Sequence, residues 1–185
     1  RVTRLEDHNL DIEKENKLIA QLKDSAKHAN GIVISDFVYG VITEKVIKVI
    51  YEVAEKYNLM LFGDVQCSSQ IGEITKFKMF SLLCPNEREA RIALHDKDSG
   101  LEILSQKLIE KTKTEKLVMK LGSEGFITYE KSFNGTIISQ AYPALCANPL
   151  DVAGAGDSLL AVMATGLASN ENMTKTSLLA CIMAS

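Results

Sequence analysis

Apolar residues return at two different spacings along this chain, and the two spacings alternate. Between Ile12 and Ala29 they recur at helical spacing among Lys, Glu and Asp, which predicts an amphipathic helix. Residues 31–35 are a short apolar run rich in β-branched residues and bounded by Asp36, which is typical of a buried strand. This part of the chain is therefore predicted to be a helix followed by a strand. Residues 1–5 fit either a strand or the tail of one.

The next segment repeats this order. A second helix is predicted after Thr43, which is a suitable N-cap, and residues 59–62 predict a second strand that ends at Gly63-Asp64. A strand, a helix and a strand in close succession form a βαβ unit, in which the strands are parallel and the crossover is right-handed.

The remaining pattern adds strands and helices and then a hairpin. Pro85 cannot continue a central strand, and the acidic residues after it suit the first turn of a helix. The predicted strands are 80–84, 117–121, 126–129 and 136–141; the predicted helices begin near Glu87 and cover 98–113, the run 159–167 and 174–185.

Composition narrows the class of protein. The 185 residues are 46% apolar and 24% charged with three Pro, as in an ordinary globular domain. No apolar run is long enough to predict a membrane span and no leader is recognised, so we expect a cytoplasmic protein without a membrane partner. The net charge of −3 is interleaved along the sequence, which argues against a nucleic-acid partner.

The four cysteines are widely spaced and predict reduced thiols. None forms the close pairs of a zinc or redox motif. Cys84 and Cys181 lie in apolar runs and are predicted to be small core residues, whereas Cys67 lies among polar residues.

The stretch from Asp151 to Ser158, DVAGAGDS, precedes a long apolar run and predicts an anion site. Gly154, Ala155 and Gly156 lack bulk, so a ligand can approach the backbone, and the following helix directs its free N–H groups and positive dipole end at that spot. A carboxylate at Asp157 would repel a phosphate unless its task is to take a proton from an attacking hydroxyl. The pattern favours phosphoryl transfer to an alcohol, and tight packing of a helix against a strand is the alternative explanation of the glycines.

This stretch resembles the D-T-x-G-A-G-D signature of the PfkB/ribokinase family of carbohydrate kinases, with Val152 in place of the usual Thr. The resemblance implies that Asp157 is the catalytic base and that Gly154, Ala155 and Gly156 form an anion hole for the transferring phosphoryl group. It also implies that Asp151 lies near the nucleotide phosphates, and that the cofactors are ATP and Mg²⁺.

Two aspartates stand at predicted strand ends, where ligands bind in parallel sheets. Asp36 and Asp64 would emerge at the same edge of the sheet, where their carboxylates would hold sugar hydroxyls or lie near a phosphate and its metal. The alternative for each is an ordinary turn residue or helix cap.

Asn86-x-x-Glu89 follows the third predicted strand and resembles the family motif N-x-x-E. Residues three apart share one face of a helical turn, so the two side chains would converge on one ion shell. The resemblance implies that Asn86 and Glu89 act on magnesium and phosphates through water. Ordinary helix initiation is the alternative.

Lys120, Gly122 and Gly125 form a third group. Gly122-x-x-Gly125 resembles the family's turn close to the nucleotide phosphates, and Lys120 directly before it would contact a phosphate. A plain hairpin connection to residues 126–129 accounts for the same glycines.

These motifs occur in the order of the family, which predicts an α/β fold: a three-layer α/β/α sandwich with a mostly parallel sheet and a late antiparallel hairpin. We expect residues 1–185 to be one domain, the central and C-terminal part of a longer kinase domain. The resemblance implies ATP-dependent phosphorylation of a sugar or sugar phosphate, and it is compatible with a homodimer and with a fused second catalytic domain. A binding domain of the same fold that has lost turnover is the alternative, favoured by Val152.

Two positions leave open which branch of the family this sequence resembles most. Residues 34–40 resemble the heptose 7-phosphate kinase domain of ADP-heptose synthesis, whose pattern is S-D-Y-x-K-G, but Tyr39 stands where that Lys would fall. Gln66 likewise follows Asp64-Val65 where those enzymes tend to have D-P-K. Because neither Tyr nor Gln supplies a cation for a phosphate, heptose phosphate is only one candidate acceptor.

Overall fold

A single six-stranded sheet organises the chain. The computed structural model describes residues 8–66, 73–146 and 154–184, so residues 1–5 and Cys67 lie outside the described residues. The sheet order follows the sequence; the strands are β1 (Gly31–Asp36), β2 (Met60–Val65), β3 (Leu82–Leu83), β4 (Lys116–Lys120), β5 (Phe126–Lys131) and β6 (Ile137–Tyr142). Strands β1 to β4 are parallel, whereas β5 is antiparallel to both β4 and β6. The mostly parallel sheet with a late antiparallel hairpin is thus confirmed.

Helices begin close to the positions that the sequence indicates. They are α1 (Ile12–Ser25), α2 (Glu44–Tyr57), α3 (Glu87–Leu94), α4 (Leu101–Thr112), α5 (Ala155–Ala168) and α6 (Met173–Met183). Thr43 caps α2 as predicted, because its side chain accepts a hydrogen bond from the backbone N–H of Val46.

Two strand boundaries differ from the prediction. Strand β2 does not end at Gly63-Asp64 but continues to Val65, because these residues stay paired with β1. Strand β3 contains two residues instead of the five predicted, since only Leu82 and Leu83 join both neighbouring strands. Apolar character identified the buried segment, but the ladder pairing that limits it is not visible in the sequence.

The core lies in two layers on opposite faces of the sheet. Apolar side chains from α1 to α4 pack on one face with Ile34, Val65 and Leu117. On the other face, α5 and α6 pack against a second cluster that includes Phe62, Cys84 and Val118. Sheet strands between two helical layers form the expected α/β/α sandwich.

Burial agrees with the predictions for two cysteines, because Cys84 and Cys181 are buried. Among the described residues, the helices are too short or too polar to cross a membrane.

Candidate functional site

Asp157 lies in the first turn of α5 and is exposed at the carboxyl ends of two strands. Its Oδ1 accepts a hydrogen bond of 3.0 Å from Gln66 Nε2, just after β2, and one of 3.3 Å from the Ser35 hydroxyl on β1. Both bonds end on the same oxygen, so within the described ranges Oδ2 is the oxygen left for an incoming group. The carboxylate is therefore held on one side and accessible on the other.

The backbone before Asp157 has the form of an anion cradle. Gly154 precedes α5 with φ +82°, a left-handed conformation that favours glycine, and a Cβ there would meet no atom within 4 Å. No described side chain caps this end of α5, in contrast to the Asn172 cap of α6. The first-turn N–H groups and the helix dipole thus favour an anion at Gly154 to Gly156.

A buried lysine lies directly beside this cradle. A Cβ placed on Gly156 would lie 3.6 Å from Lys120 Nζ, at the end of β4. Strand alternation points Lys120 to the same face as Val118, which packs against α5 and α6. An ammonium group therefore adds positive charge next to the N-terminus of α5.

The partner of that lysine is Asp64. Lys120 Nζ lies 2.6 Å from Asp64 Oδ2; the Asp64 side chain is fully buried and that of Lys120 is 17% exposed. Burial raises the pKa of the Asp64 carboxyl, and the Lys120 ammonium opposes that shift. Burial acts to lower the pKa of Lys120, but the charge and hydrogen bond of Asp64 together with the charge of Glu89 leave that pKa above its ordinary value. Among the described residues, Asp64 Oδ1 has no hydrogen-bond partner.

Asp36 lies at the same edge of the sheet but on the opposite face. It follows Ser35, which points to α5, and its side chain forms an ion pair with Lys76 and accepts from the backbone N–H of Val38. Asp36 is 3% exposed. The two strand-end aspartates are therefore brought to one edge but not to one face, and their roles as substrate residues stay predictions.

Asn86 and Glu89 cap helix α3 reciprocally. Asn86 Oδ1 accepts from the Glu89 backbone N–H at 2.8 Å, and Glu89 Oε2 accepts from the Asn86 N–H at 2.7 Å, which is a capping box. The backbone of Asn86 also forms an isolated parallel β-bridge with the backbone of Lys120. The helix-initiation explanation is thus correct for these contacts, while a second role at a metal through water stays a prediction.

An open cleft of about 650 Å³ lies between the start of α3 and the end of β4. Asn86, Arg88, Lys120 and Gly122 are among its lining residues. Gly122 has φ +62° with open space around it, in the short turn between β4 and β5. The cleft therefore brings Lys120 and Gly122 together with Asn86, whereas Glu89, Gly125 and Asp157 are not among its lining residues.

Gly125 has a structural explanation of its own. Its φ is +95°, and a Cβ there would lie 2.1 Å from the backbone oxygen of Tyr142 on β6. The hairpin therefore requires glycine at this position, whatever role it has toward a nucleotide. Asp151 lies outside the described residues, so its role near the nucleotide phosphates stays a prediction.

Direct metal coordination has no ready-made ligand set in the described residues. They contain no group of three or more His, Cys, Asp or Glu side chains that would hold a metal ion. Asn86 Oδ1 and Glu89 Oε2 already accept hydrogen bonds from backbone N–H groups. This arrangement fits contact with an ion through water better than direct ligation.

Sequence reasoning missed two partners in this region. In the sequence, Gln66 was considered only because it stands where a lysine was expected, but its side-chain amide donates to Asp157, the candidate base. Lys76, which neutralises Asp36, carries no motif and lies far from it in sequence. No local signal in the chain would have revealed either contact, because both depend on how separate segments meet.

A family model described as "pfkB family carbohydrate kinase" matches residues 5–185. The bifunctional protein HldE of Campylobacter jejuni subsp. doylei is 31% identical over 173 residues, which are 92% of this chain and 35% of that protein. The corresponding protein of Geobacter metallireducens is 27% identical over 158 residues, 83% of this chain and 30% of that protein. The chain thus spans about a third of the length of these relatives.

Solved structures share the fold at low sequence identity. Escherichia coli phosphofructokinase-2 in complex with potassium superposes with a TM-score of 0.74 at 16% identity, covering 96% of this chain and 56% of that one. Arabidopsis thaliana ribokinase complexed with ribose and ATP gives a TM-score of 0.69 at 17% identity, covering 96% of this chain and 53% of that one. Both likenesses identify the ribokinase-like fold alone.

Proposed function

Because the chain belongs to the pfkB family of carbohydrate kinases, we propose that the protein containing it transfers the terminal phosphoryl group of ATP to a hydroxyl of a sugar or sugar phosphate. The observation that carries the proposal is the position of Asp157. Its carboxylate is exposed at the N-terminus of α5, beside a backbone cradle and a lysine that both favour negative charge. A carboxylate at such a place is useful if it accepts a proton.

The proposed reaction begins with the acceptor hydroxyl at Asp157 Oδ2. The hydroxyl oxygen forms a bond to the terminal phosphorus of ATP, the bond from that phosphorus to ADP breaks, and the hydroxyl proton passes to Asp157. Ser35 and Gln66 hold Oδ1 through the step. The products are the phosphorylated sugar and ADP.

The cradle and the lysine stabilise charge on the transferring group. Backbone N–H groups of the first turn of α5, from Gly154 to Gly156, are proposed as the anion hole, and Lys120 adds a charge beside them. Preorganised donors of this kind act most strongly where water is excluded. Gly122 and Asp151 are proposed to lie along the nucleotide phosphates, together with Gly125.

Magnesium fits this site through water. When bound, Mg²⁺ neutralises charge on the nucleotide phosphates. Asn86 and Glu89 are proposed to hold its water shell from the end of α3, close to Lys120. Their capping contacts fix the side chains in place before any ion arrives.

The acceptor is proposed to be a sugar or a sugar-like alcohol. Asp64 and Asp36 are proposed to act near it, Asp64 through its unpaired buried oxygen. Tyr39 and Gln66 provide no cation for a phosphate on the acceptor, so a heptose phosphate is one candidate among several. A fused second domain and a homodimer are proposals for the whole protein, supported in the first case by the name "bifunctional" of the relatives.

The complete protein tests this function directly. It should form ADP from MgATP in the presence of one or more members of a panel of sugars and sugar phosphates, with one phosphoryl group gained by the acceptor in mass spectrometry. Binding of ATP without transfer to any member would instead support a domain that has kept the fold and lost turnover, which the Val152 substitution favours.

A further inference from the structure

The amide of Gln66 occupies a position from which it controls Asp157. Its Nε2 donates to Asp157 Oδ1 at 3.0 Å, and its backbone N–H donates to the Asp36 carbonyl at 2.8 Å. The second bond extends the pairing of β2 with β1 by one residue, so the backbone of Gln66 is fixed by the sheet. A side chain on a fixed backbone can hold its partner in one orientation.

We propose that Gln66 is a positioning residue, which orients the Asp157 carboxylate so that Oδ2 faces the acceptor hydroxyl. This inference rests on the proposed function, because it concerns the base of that reaction. Ser35 donates to the same Oδ1 at 3.3 Å, so the two bonds fix the plane of the carboxylate from β1 and from β2. An amide does so without adding charge.

The neutrality of the amide matters because the surrounding charges are balanced. Asp64 on β2 is close enough to Asp157 for their charges to interact, and the Asp64 charge is itself paired with Lys120 on β4. The remaining contacts are the Ser35 hydroxyl and the positive end of α5. A cation in place of Gln66 would favour the ionised carboxylate and weaken it as a base, whereas an anion would favour its protonated form.

Three substitutions of Gln66 separate positioning from simple stabilisation of the fold. Gln66→Leu removes the donor, and we expect kcat to fall about 10- to 100-fold while KM for ATP stays within about twofold. In Gln66→Glu, the acid limb of the kcat/KM profile should move up by about one pH unit; in Gln66→Lys it should move down by a similar amount. Movement of the limb reports that residue 66 contacts Asp157, and the fall in kcat of Gln66→Leu at unchanged KM for ATP separates positioning from stabilisation of the fold.

The matched control is Gln106→Leu. Gln106 Nε2 donates to Glu110 Oε1 at 2.9 Å on the exposed face of α4, so this variant loses the same kind of bond away from the site. Its kcat and pH profile should equal those of the wild type. Gln66→Glu is isosteric and keeps the test open if Gln66→Leu does not fold.

The results distinguish this inference from the function on which it rests. A fall in kcat of Gln66→Leu at unchanged KM for ATP, together with opposite movements of the acid limb in the charged variants, supports the positioning role. A wild-type kcat in Gln66→Leu overturns it, even if the limb moves. If the limb is unmoved in all three variants while Asp157→Asn abolishes transfer, the positioning role is overturned and the kinase function stands. If the wild type transfers no phosphoryl group to any acceptor, both fall together.

Discussion

Three aspartates at one edge of the sheet have different environments. Asp157 is exposed and bound by neutral donors, Asp64 is fully buried against Lys120, and Asp36 is buried on the other face against Lys76. Of the three, only Asp157 combines an exposed side chain with neutral hydrogen-bond donors. Residue type alone therefore does not decide which aspartate is the base; exposure and partner do.

The buried pair gives a prediction for stability. Lys120→Met leaves Asp64 fully buried without its cation, and either burying the unpaired charge or protonating it costs free energy at neutral pH. The free energy of unfolding should therefore fall by about 3–5 kcal/mol in chemical denaturation. Replacing Asp64 by Leu in the same variant should restore most of that loss. Equal stability of Lys120→Met and the wild type would mean that the Asp64 charge is compensated in another way.

Lys116→Met is the control on the same strand. Lys116 Nζ lies 3.1 Å from Glu130 Oε1, but Glu130 is 42% exposed, and solvent screens the pair. The expected loss is below about 1 kcal/mol.

The loss caused by Lys120→Met should depend on pH. Burial raises the pKa of Asp64, so its contribution to stability is present at low pH and is lost as the pH rises through the folded-state value. The penalty should therefore be small near about pH 4, where the carboxyl is protonated, and should grow toward neutral pH. A penalty that instead grows on acidification would contradict this account.

At the residue scale, the sequence identified types but not partners. Asp157, Asn86 and Glu89 follow from motifs, and the capping box follows from their spacing. The Gln66 and Lys76 contacts join segments that are distant in sequence, so no local pattern contains them.

At the scale of elements, α5 carries both the site and a tight packing contact. Its N-terminus presents Gly156 beside Lys120, whereas a Cβ on Gly166, three turns later, would lie 2.5 Å from Thr176 Cγ2 on α6. One glycine leaves space for a ligand, and the other allows two helices to approach. Glycine is therefore required for packing at one end of the helix and is proposed to serve ligand binding at the other.

Alanine at these two glycines should have opposite effects. Gly156→Ala places a methyl group at ordinary contact distance from Lys120, so the fold should keep its stability while kcat/KM for ATP falls about 10- to 100-fold. Gly166→Ala forces α5 and α6 apart and should cost about 1–3 kcal/mol in denaturation, with the activity of the folded protein retained.

Thr176→Ala is the companion substitution, because it removes the methyl group that Gly166→Ala would meet. The double variant should recover most of the stability. A Gly156→Ala protein with unchanged kinetics for ATP would mean that the ligand does not approach this backbone.

Helical periodicity predicted α1, whereas the inner strands β2 to β4 were recognised as short apolar runs, because both of their faces are buried. The apolar pattern overestimated β3, whose five apolar or small residues contribute only two to the ladder. The sequence pattern also ended β2 too early, because Gly and Asp are unusual in the interior of a strand. In the structure, Gly63 and Asp64 pair with β1, and Gly63 also pairs with β3.

At the scale of the whole molecule, two helical layers around one sheet bring separate chain segments to a common edge. Strands β1, β2 and β4 place Ser35, Gln66 and Lys120 on the face that α5 covers, so residues from four segments meet at its first turn. The order of the motifs predicted the fold that brings these strand ends to one edge but not these contacts, and alternation along the strands decided which face each residue took. That second choice placed Asp36 away from Asp157.

The measurement that tests the central claim most directly is the turnover of Asp157→Asn in the complete protein, with MgATP and an acceptor that the wild type phosphorylates. Asp24→Asn, on the exposed surface of α1, is the control and should behave as the wild type. We expect kcat of Asp157→Asn to fall about 10²–10⁴-fold, the usual contribution of a positioned base, while stabilisation of the protein by ATP in thermal unfolding is retained. Transfer by Asp157→Asn at the wild-type rate would contradict the account.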